Sequence, residues 1–240
     1  MKLQESGLLT LATDMEVISA CLALQGGERL LELGCGTAQT TRELAELHPD
    51  LEILATEVDQ IQHQKNLQVD DLPNVTFLFG GAQGIALDDA SVDYVIMLKS
   101  LHHVPGTLLS QGLGEVHRVL KPGGLAYLSE PIAQGSFNDI LRLFHDETEV
   151  RQNAFRAIEA AVASGMFELV EQIFFNEQRI YEGFADFSKQ ILGVTHTHFE
   201  IDEPLLARIK SAFEKHVDHR GLAEFHAPQR VDLIRRPQDS

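Results

Sequence analysis

Three acids and a pair of histidines stand where side chains could act on a small ligand: Glu32, Glu57, Glu130 and His102-His103. Glu32 lies just ahead of a glycine pair in Leu30-Leu31-Glu32-Leu33-Gly34-Cys35-Gly36-Thr37, where Gly34 and Gly36 permit a tight turn and a close ligand approach that a side chain would block. Glu57 ends a second apolar run about twenty residues on, the placement of an acid that takes both hydroxyls of a ribose. His102 and His103 follow a fourth apolar run and Glu130 ends a fifth, so all three reach the carboxyl edge where ligands sit in parallel sheets. An imidazole titrates near neutrality and can take a proton from an acceptor there. No more than one of the pair is expected to act, His103 ahead of His102, with the other buried and bonded to backbone.

The ligand follows from the glycines and the first acid. A dinucleotide fingerprint would need a third glycine at position 39, where this chain has Gln39, so a pyrophosphate loses its support. A glutamate ahead of the turn suits a cationic ligand, and S-adenosylmethionine carries a sulfonium and an ammonium beside a ribose.

These residues need a scaffold, and the chain alternates to supply one. Strands are expected near 30–34, 52–57, 75–79, 92–98 and 124–130, separated by helices near 38–47, 59–68 and 107–120, with Thr37 as a cap for the first. Right-handed crossovers then give a doubly wound, mostly parallel α/β sheet. Late strands are expected near 168–181 and 224–235. Between them, 137–163, 184–192 and 203–219 read as helices, and 11 of the 13 phenylalanines follow residue 131. Such a stripe is expected to be core, and it could also line an apolar pocket over the reacting group.

Further segments fall in order after the glycine turn: Gly80-Gly81-Ala82-Gln83, Asp89-Ala90-Ser91-Val92-Asp93-Tyr94-Val95-Ile96-Met97, Leu101-His102-His103-Val104 and His117-Arg118-Val119-Leu120-Lys121-Pro122-Gly123-Gly124. Together they resemble the class I S-adenosylmethionine-dependent methyltransferases of the small-molecule type, the type 11/25-like group, over roughly residues 28–131. The resemblance implies a seven-stranded Rossmann-like methyltransferase fold in one structural domain: a cofactor-binding core with an N-terminal helix over 1–131, and a helical cap plus the last two strands over 132–240. It implies S-adenosyl-L-methionine as cofactor, held by Glu32, Gly34, Cys35, Gly36, Glu57, Val58, Ala82, Gln83 and Leu98. Lys121 would suit the preceding helix C-terminus, and Pro122-Gly123-Gly124 would turn the chain into the next strand. Two positions depart from the pattern. Ala38 stands where the family often has a third glycine, a change expected to matter little to packing. Gly81 replaces an acid that reaches the adenine amino group, which leaves adenine to backbone and Gln83.

Composition narrows the remaining classes. A formal charge of −17 disfavours nucleic acid as a partner. No apolar run approaches a membrane span and no signal-peptide pattern opens the chain, so a cytoplasmic protein with no membrane partner is expected, with room for a homodimer. Cys21 and Cys35 are too few for a disulfide framework, and Cys35 reads as a small filler. His196-x-His198 and His216-x-x-His219 have ligand-like spacing but too few donors for a closed site, so no metal is expected. Methyl transfer to a small-molecule acceptor is the first reading. An enzyme using the same cofactor without methyl transfer, like the carboxy-S-adenosylmethionine synthases, and a non-catalytic cofactor binder stand as alternatives.

Overall fold

A computed structural model describes residues 1–5, 7–193 and 199–238. Helix α1 (Asp14–Cys21) precedes five strands and three helices: β1 (Arg29–Leu33), α2 (Gln39–Leu47), β2 (Glu52–Glu57), α3 (Gln60–Asn66), β3 (Val75–Phe79), β4 (Val92–Leu98), α4 (Leu109–Val119) and β5 (Leu120–Pro131). After them come α5 (Gly135–Leu141), α6 (Thr148–Ala163), β6 (Glu168–Tyr181), α7 (Gly183–Phe187), α8 (Glu203–Glu214) and β7 (Ala223–Arg235). The seven strands form one sheet in the order β3-β2-β1-β4-β5-β7-β6. All neighbours through β5 pair in parallel, and β7 runs antiparallel between β5 and β6. The sheet is the doubly wound one expected, and both late strands fall where the sequence places them.

Alternating side chains explain why helices cover both faces. Leu31, Val95, Ala126 and Leu128 pack with Leu113 and Val116 of α4 and Ile158 of α6, while Leu30, Ile53, Ile96 and Tyr127 pack with Ile18 of α1 and Leu44 of α2. Consecutive strand residues point to opposite faces, and here both faces are buried. A third cluster lies in the cap. Phe137, Tyr181, Phe187, Phe213 and Phe225 bring their rings into edge, tilted and stacked contact.

The winding direction reverses between β1 and β4, and sheets of this kind bind ligands at such a switch point. Beside it, β6 and β7 continue as a two-stranded ribbon. β5 ends opposite Gln229, yet the pairs from Glu177–Ala227 to Tyr181–Ala223 lie further out and carry the cap above the carboxyl edge.

Local structure corrects three expectations. Thr37 does not cap α2; the cap is Ala38, with φ 59° and no side-chain hydrogen bond. Position 38 therefore favours glycine for its backbone conformation rather than for packing. Lys121 does not serve the α4 terminus, because its ammonium lies 2.8 Å from both carboxylate oxygens of Asp93. Nor do Pro122-Gly123-Gly124 form a separate turn before the strand: Leu120 already pairs with Val92, and the register shifts between Val92 and Tyr94.

The conformation of Ala38 sets a mutational expectation. Ala38→Gly gives up one buried methyl, about 0.8 kcal/mol, and loses about 0.5–1 kcal/mol more to backbone entropy, while relieving left-handed strain of about 1–2 kcal/mol, so it should leave stability nearly unchanged. Ala38→Val adds a β-branched side chain at positive φ and should cost about 1–3 kcal/mol. Urea unfolding of both variants checks this; a stabilising valine would show that packing governs the position.

Candidate active site

The end of β1 turns sharply because two glycines and one acid fix its backbone. Gly34 (φ 81°) and Gly36 (φ 52°) take left-handed conformations. A Cβ on Gly34 would stand 2.8 Å from the Ser100 Cβ, so only glycine fits beneath the segment that leaves β4. Ser100 Oγ donates to the Leu33 carbonyl at 2.7 Å and ties the two strand ends together. Glu57, at the end of β2, accepts from the Gly36 amide at 2.8 Å and from the Val58 and Asp59 amides at 2.7 Å each. Asn66 of α3 closes the loop from behind, donating to the Gly36 carbonyl at 2.8 Å and reaching the buried Cys35 sulfur at 3.4 Å.

Glu32 sits beneath this turn, 2 % exposed, and accepts from the Thr41 hydroxyl at 2.5 Å. Burial pushes its carboxyl up to about 7; the Thr41 bond opposes this and the neighbouring Glu57 charge adds to it. The residues expected on the adenine side lie close together. Ala82 packs against Gly112 of α4, where a Cβ would lie 3.4 Å from its own, and Val58 is exposed beside it. A Cβ on Gly81 would meet Gln83 Oε1 at 2.7 Å and Val58 Cγ1 at 2.8 Å. The Gln83 amide thus folds back over the position where the family has an acid. Leu98, half-buried at the end of β4, pairs opposite Ser129.

Beyond Leu98 the chain crosses from the glycine turn to a capped cavity. Lys99, His102 and His103 line this space of about 350 Å³, whose walls include Phe137, Phe144 and Phe199 of the cap and Arg179 and Gln229 of the ribbon. The phenylalanines thus make both a core and a pocket wall. Lys99 reaches Asp14 of α1 at 2.8 Å and Glu177 of β6 at 3.2 Å.

Glu130 organises the floor, accepting from the Leu101 amide at 3.0 Å and pairing with His102 Nδ1 at 2.5 Å. His102 Nε2 faces Glu147 Oε1 at 3.6 Å. Burial alone would lower the His102 pKa, but the Glu130 and Glu147 carboxylates outweigh it and raise it to about 9. Burial would raise the Glu147 pKa; His102, Arg151 and His145 overcome this and hold it well below the usual carboxylate range. A ring kept protonated in this way donates hydrogen bonds and is no proton acceptor at neutral pH. His103 is exposed, its ring 4.1 Å from that of His102. Of the histidines with ligand-like spacing, His216 and His219 are exposed, while His196 and His198 lie outside the described residues.

Five participants were missed in the sequence: Asn66, Glu147, Arg151, Arg179 and Ser100. Only Ser100 adjoins a motif. The others reach the site from α3, the cap and the ribbon, and no local spacing marks them.

The buried acid generates a pH dependence. The native state holds the Glu32 proton up to about 7 whereas an unfolded chain releases it near 4.5, so the stability it contributes is present below about 4.5 and lost as pH rises to about 7. Glu32→Gln should flatten that part of the profile. Urea unfolding of both proteins across this window checks it, and parallel profiles would contradict the buried, protonated carboxyl.

Residues 30–124 match the family model described as a methyltransferase domain. The demethylmenaquinone methyltransferase of Lysinibacillus sphaericus is 32% identical over 115 residues, which cover 45% of this chain and 47% of that protein, so the chain spans about half the length of this relative. A candidate methyltransferase from Bacillus halodurans shares the fold at a TM-score of 0.65 and 16% identity, over 94% of this chain and 99% of that one. The phosphoethanolamine N-methyltransferase 2 of Haemonchus contortus, solved with phosphomonomethylethanolamine and S-adenosylhomocysteine, aligns at a TM-score of 0.57 and 14% identity, over 93% of this chain and 52% of that one. With the glycine turn at the switch point and the ribbon beyond β5, the chain has a class I methyltransferase fold, and its residues 30–124 match the methyltransferase-domain model.

Proposed function

We propose that the protein binds S-adenosylmethionine across Gly34, Gly36 and Glu57 and transfers its methyl group to a small-molecule acceptor held in the capped cavity. One stretch of backbone supports this reading: residues 99–103 press Ser100 against the glycine turn while Lys99, His102 and His103 line the cavity. Cofactor and acceptor would then meet across a single segment. The turn fits the cofactor, because Gly34 and Gly36 leave no Cβ over its path and Glu57 is locked by three amides in position for ribose hydroxyls. Glu32, with its raised pKa, would ionise toward an ammonium group.

The cofactor supplies a sulfonium methyl whose leaving group departs neutral, so the protein mainly has to align the acceptor and exclude water. Phe137, Phe144 and Phe199 do the excluding, and the rigid Glu130–His102 pair sets the floor. His103, on the cavity side, is the group for an acceptor that must lose a proton. The Gln83 amide over Gly81 would offer adenine a partner in place of the acid.

Calorimetry with S-adenosylhomocysteine tests the cofactor site. Glu57→Ala should weaken binding by a few kcal/mol at most, and Gln83→Ala by about 0.5–1.5 kcal/mol. Unchanged affinity in the first variant would remove the ribose assignment. Formation of S-adenosylhomocysteine from S-adenosylmethionine with a metabolite extract tests the transfer itself.

A further inference from the structure

The cavity floor brings together donors that the sequence scatters. His102 and His103 follow β4, whereas His145 and Glu147 precede α6 and arrive with the cap. Glu130 takes Nδ1 of His102, so Nε2 is the nitrogen turned toward Glu147, 3.6 Å from its Oε1. His145 Nε2 lies 3.0 Å from the same oxygen. Ligand atoms of His102, His103 and Glu147 all lie within 4.8 Å of one another, the one such trio among the described residues.

From this juxtaposition we infer that His102, His103 and Glu147 form a binding site for a divalent cation of the zinc class, with His145 beside the Glu147 oxygen. Donors on a tetrahedral ion with bonds of about 2.1 Å stand about 3.4 Å apart, so His102 and Glu147 already have the separation required. The exposed His103 ring has to close by about 1.4 Å at most, within the reach of a side-chain rotation. Imidazole nitrogens with one carboxylate suit zinc, iron or cobalt rather than calcium or magnesium, which take oxygen ligands. The surroundings match what orients such ligands elsewhere: Glu130 fixes the His102 tautomer, and Arg151, itself held by Asn138 at 3.1 Å, holds Glu147 Oε2 at 2.5 Å. The ion would take the place of the proton on His102 Nε2 and of the proton-accepting role of His103, and its free positions would face the cavity. That they would face an acceptor rests on the methyltransferase reading; that an ion binds does not.

The test uses the full chain, stripped with a chelator and dialysed, titrated calorimetrically with Zn²⁺ and followed with Co²⁺ by visible absorption. One equivalent should bind, cobalt should give the intense bands of a low-coordinate site, and both His103→Ala and Glu147→Gln should weaken binding at least tenfold. The double variant His216→Ala with His219→Ala should bind as the parent does. Absence of saturable binding, or affinity unchanged in His103→Ala, overturns the site; so does loss of binding in the His216/His219 variant alone. Replacement of the exposed His103 keeps the test open if Glu147→Gln unfolds the chain. S-adenosylhomocysteine titrated into the same samples separates the two ideas, since cofactor binding without metal binding refutes only the ion site, and the converse refutes only the cofactor reading.

Discussion

The close approach of Gly34 to Ser100 is the contact on which the rest of the site depends. It occurs where β1 and β4 part, the point at which the sheet changes winding direction. Because no side chain intervenes at Gly34, Ser100 can reach back to Leu33, and the chain leaving β4 is pinned against the turn. That pinning sets the start of the short helix carrying His102 and His103. The glycine turn and the capped cavity therefore share a fixed partition.

The partition is held by buried charge, which is costly unless every charge is met. Glu130 is 1 % exposed and is satisfied by two amides and an imidazole; Glu147 is shared by His102, His145 and Arg151. Opposite Glu130 on β7, Arg230 is equally buried, paired with Asp232 at 2.8 Å and lying over the Phe155 ring at 4.6 Å. Burial raises the Asp232 pKa, although Arg230 and Gln172 draw it back. Removing one member of such a set strands its partners, so these groups define the floor's geometry more firmly than apolar packing would.

Most of the fold was legible because it rests on local periodicity. The bounds of β6 and β7, the helical character of 137–163 and the aromatic cap core all follow from patterns a few residues long. What could not be read depends on distant pairing or on a single dihedral. Lys121 looks like a helix-end cation until β4 brings Asp93 to it. Ala38 looks like a packing change until its φ is known. At the site, the glycine turn and Glu57 announce themselves by type and spacing, whereas Asn66 and Arg151 are ordinary residues of ordinary helices and Glu147 an ordinary acid just before one. The placement of Glu147 and Arg151 comes from the way the cap folds back over the edge, and that of Asn66 from α3 packing behind the glycine turn.

The ribbon formed by the outer halves of β6 and β7 behaves as a cantilever. It is anchored in the sheet as far as Gln229 and carries α7 and α8 at its free end, with Arg179 and Ala227 turned to the cavity. Its load can change in length or composition without moving β1, β2 or β4. One frame can thus acquire new acceptor pockets by remodelling the overhang, while the glycine turn stays under an unchanged constraint.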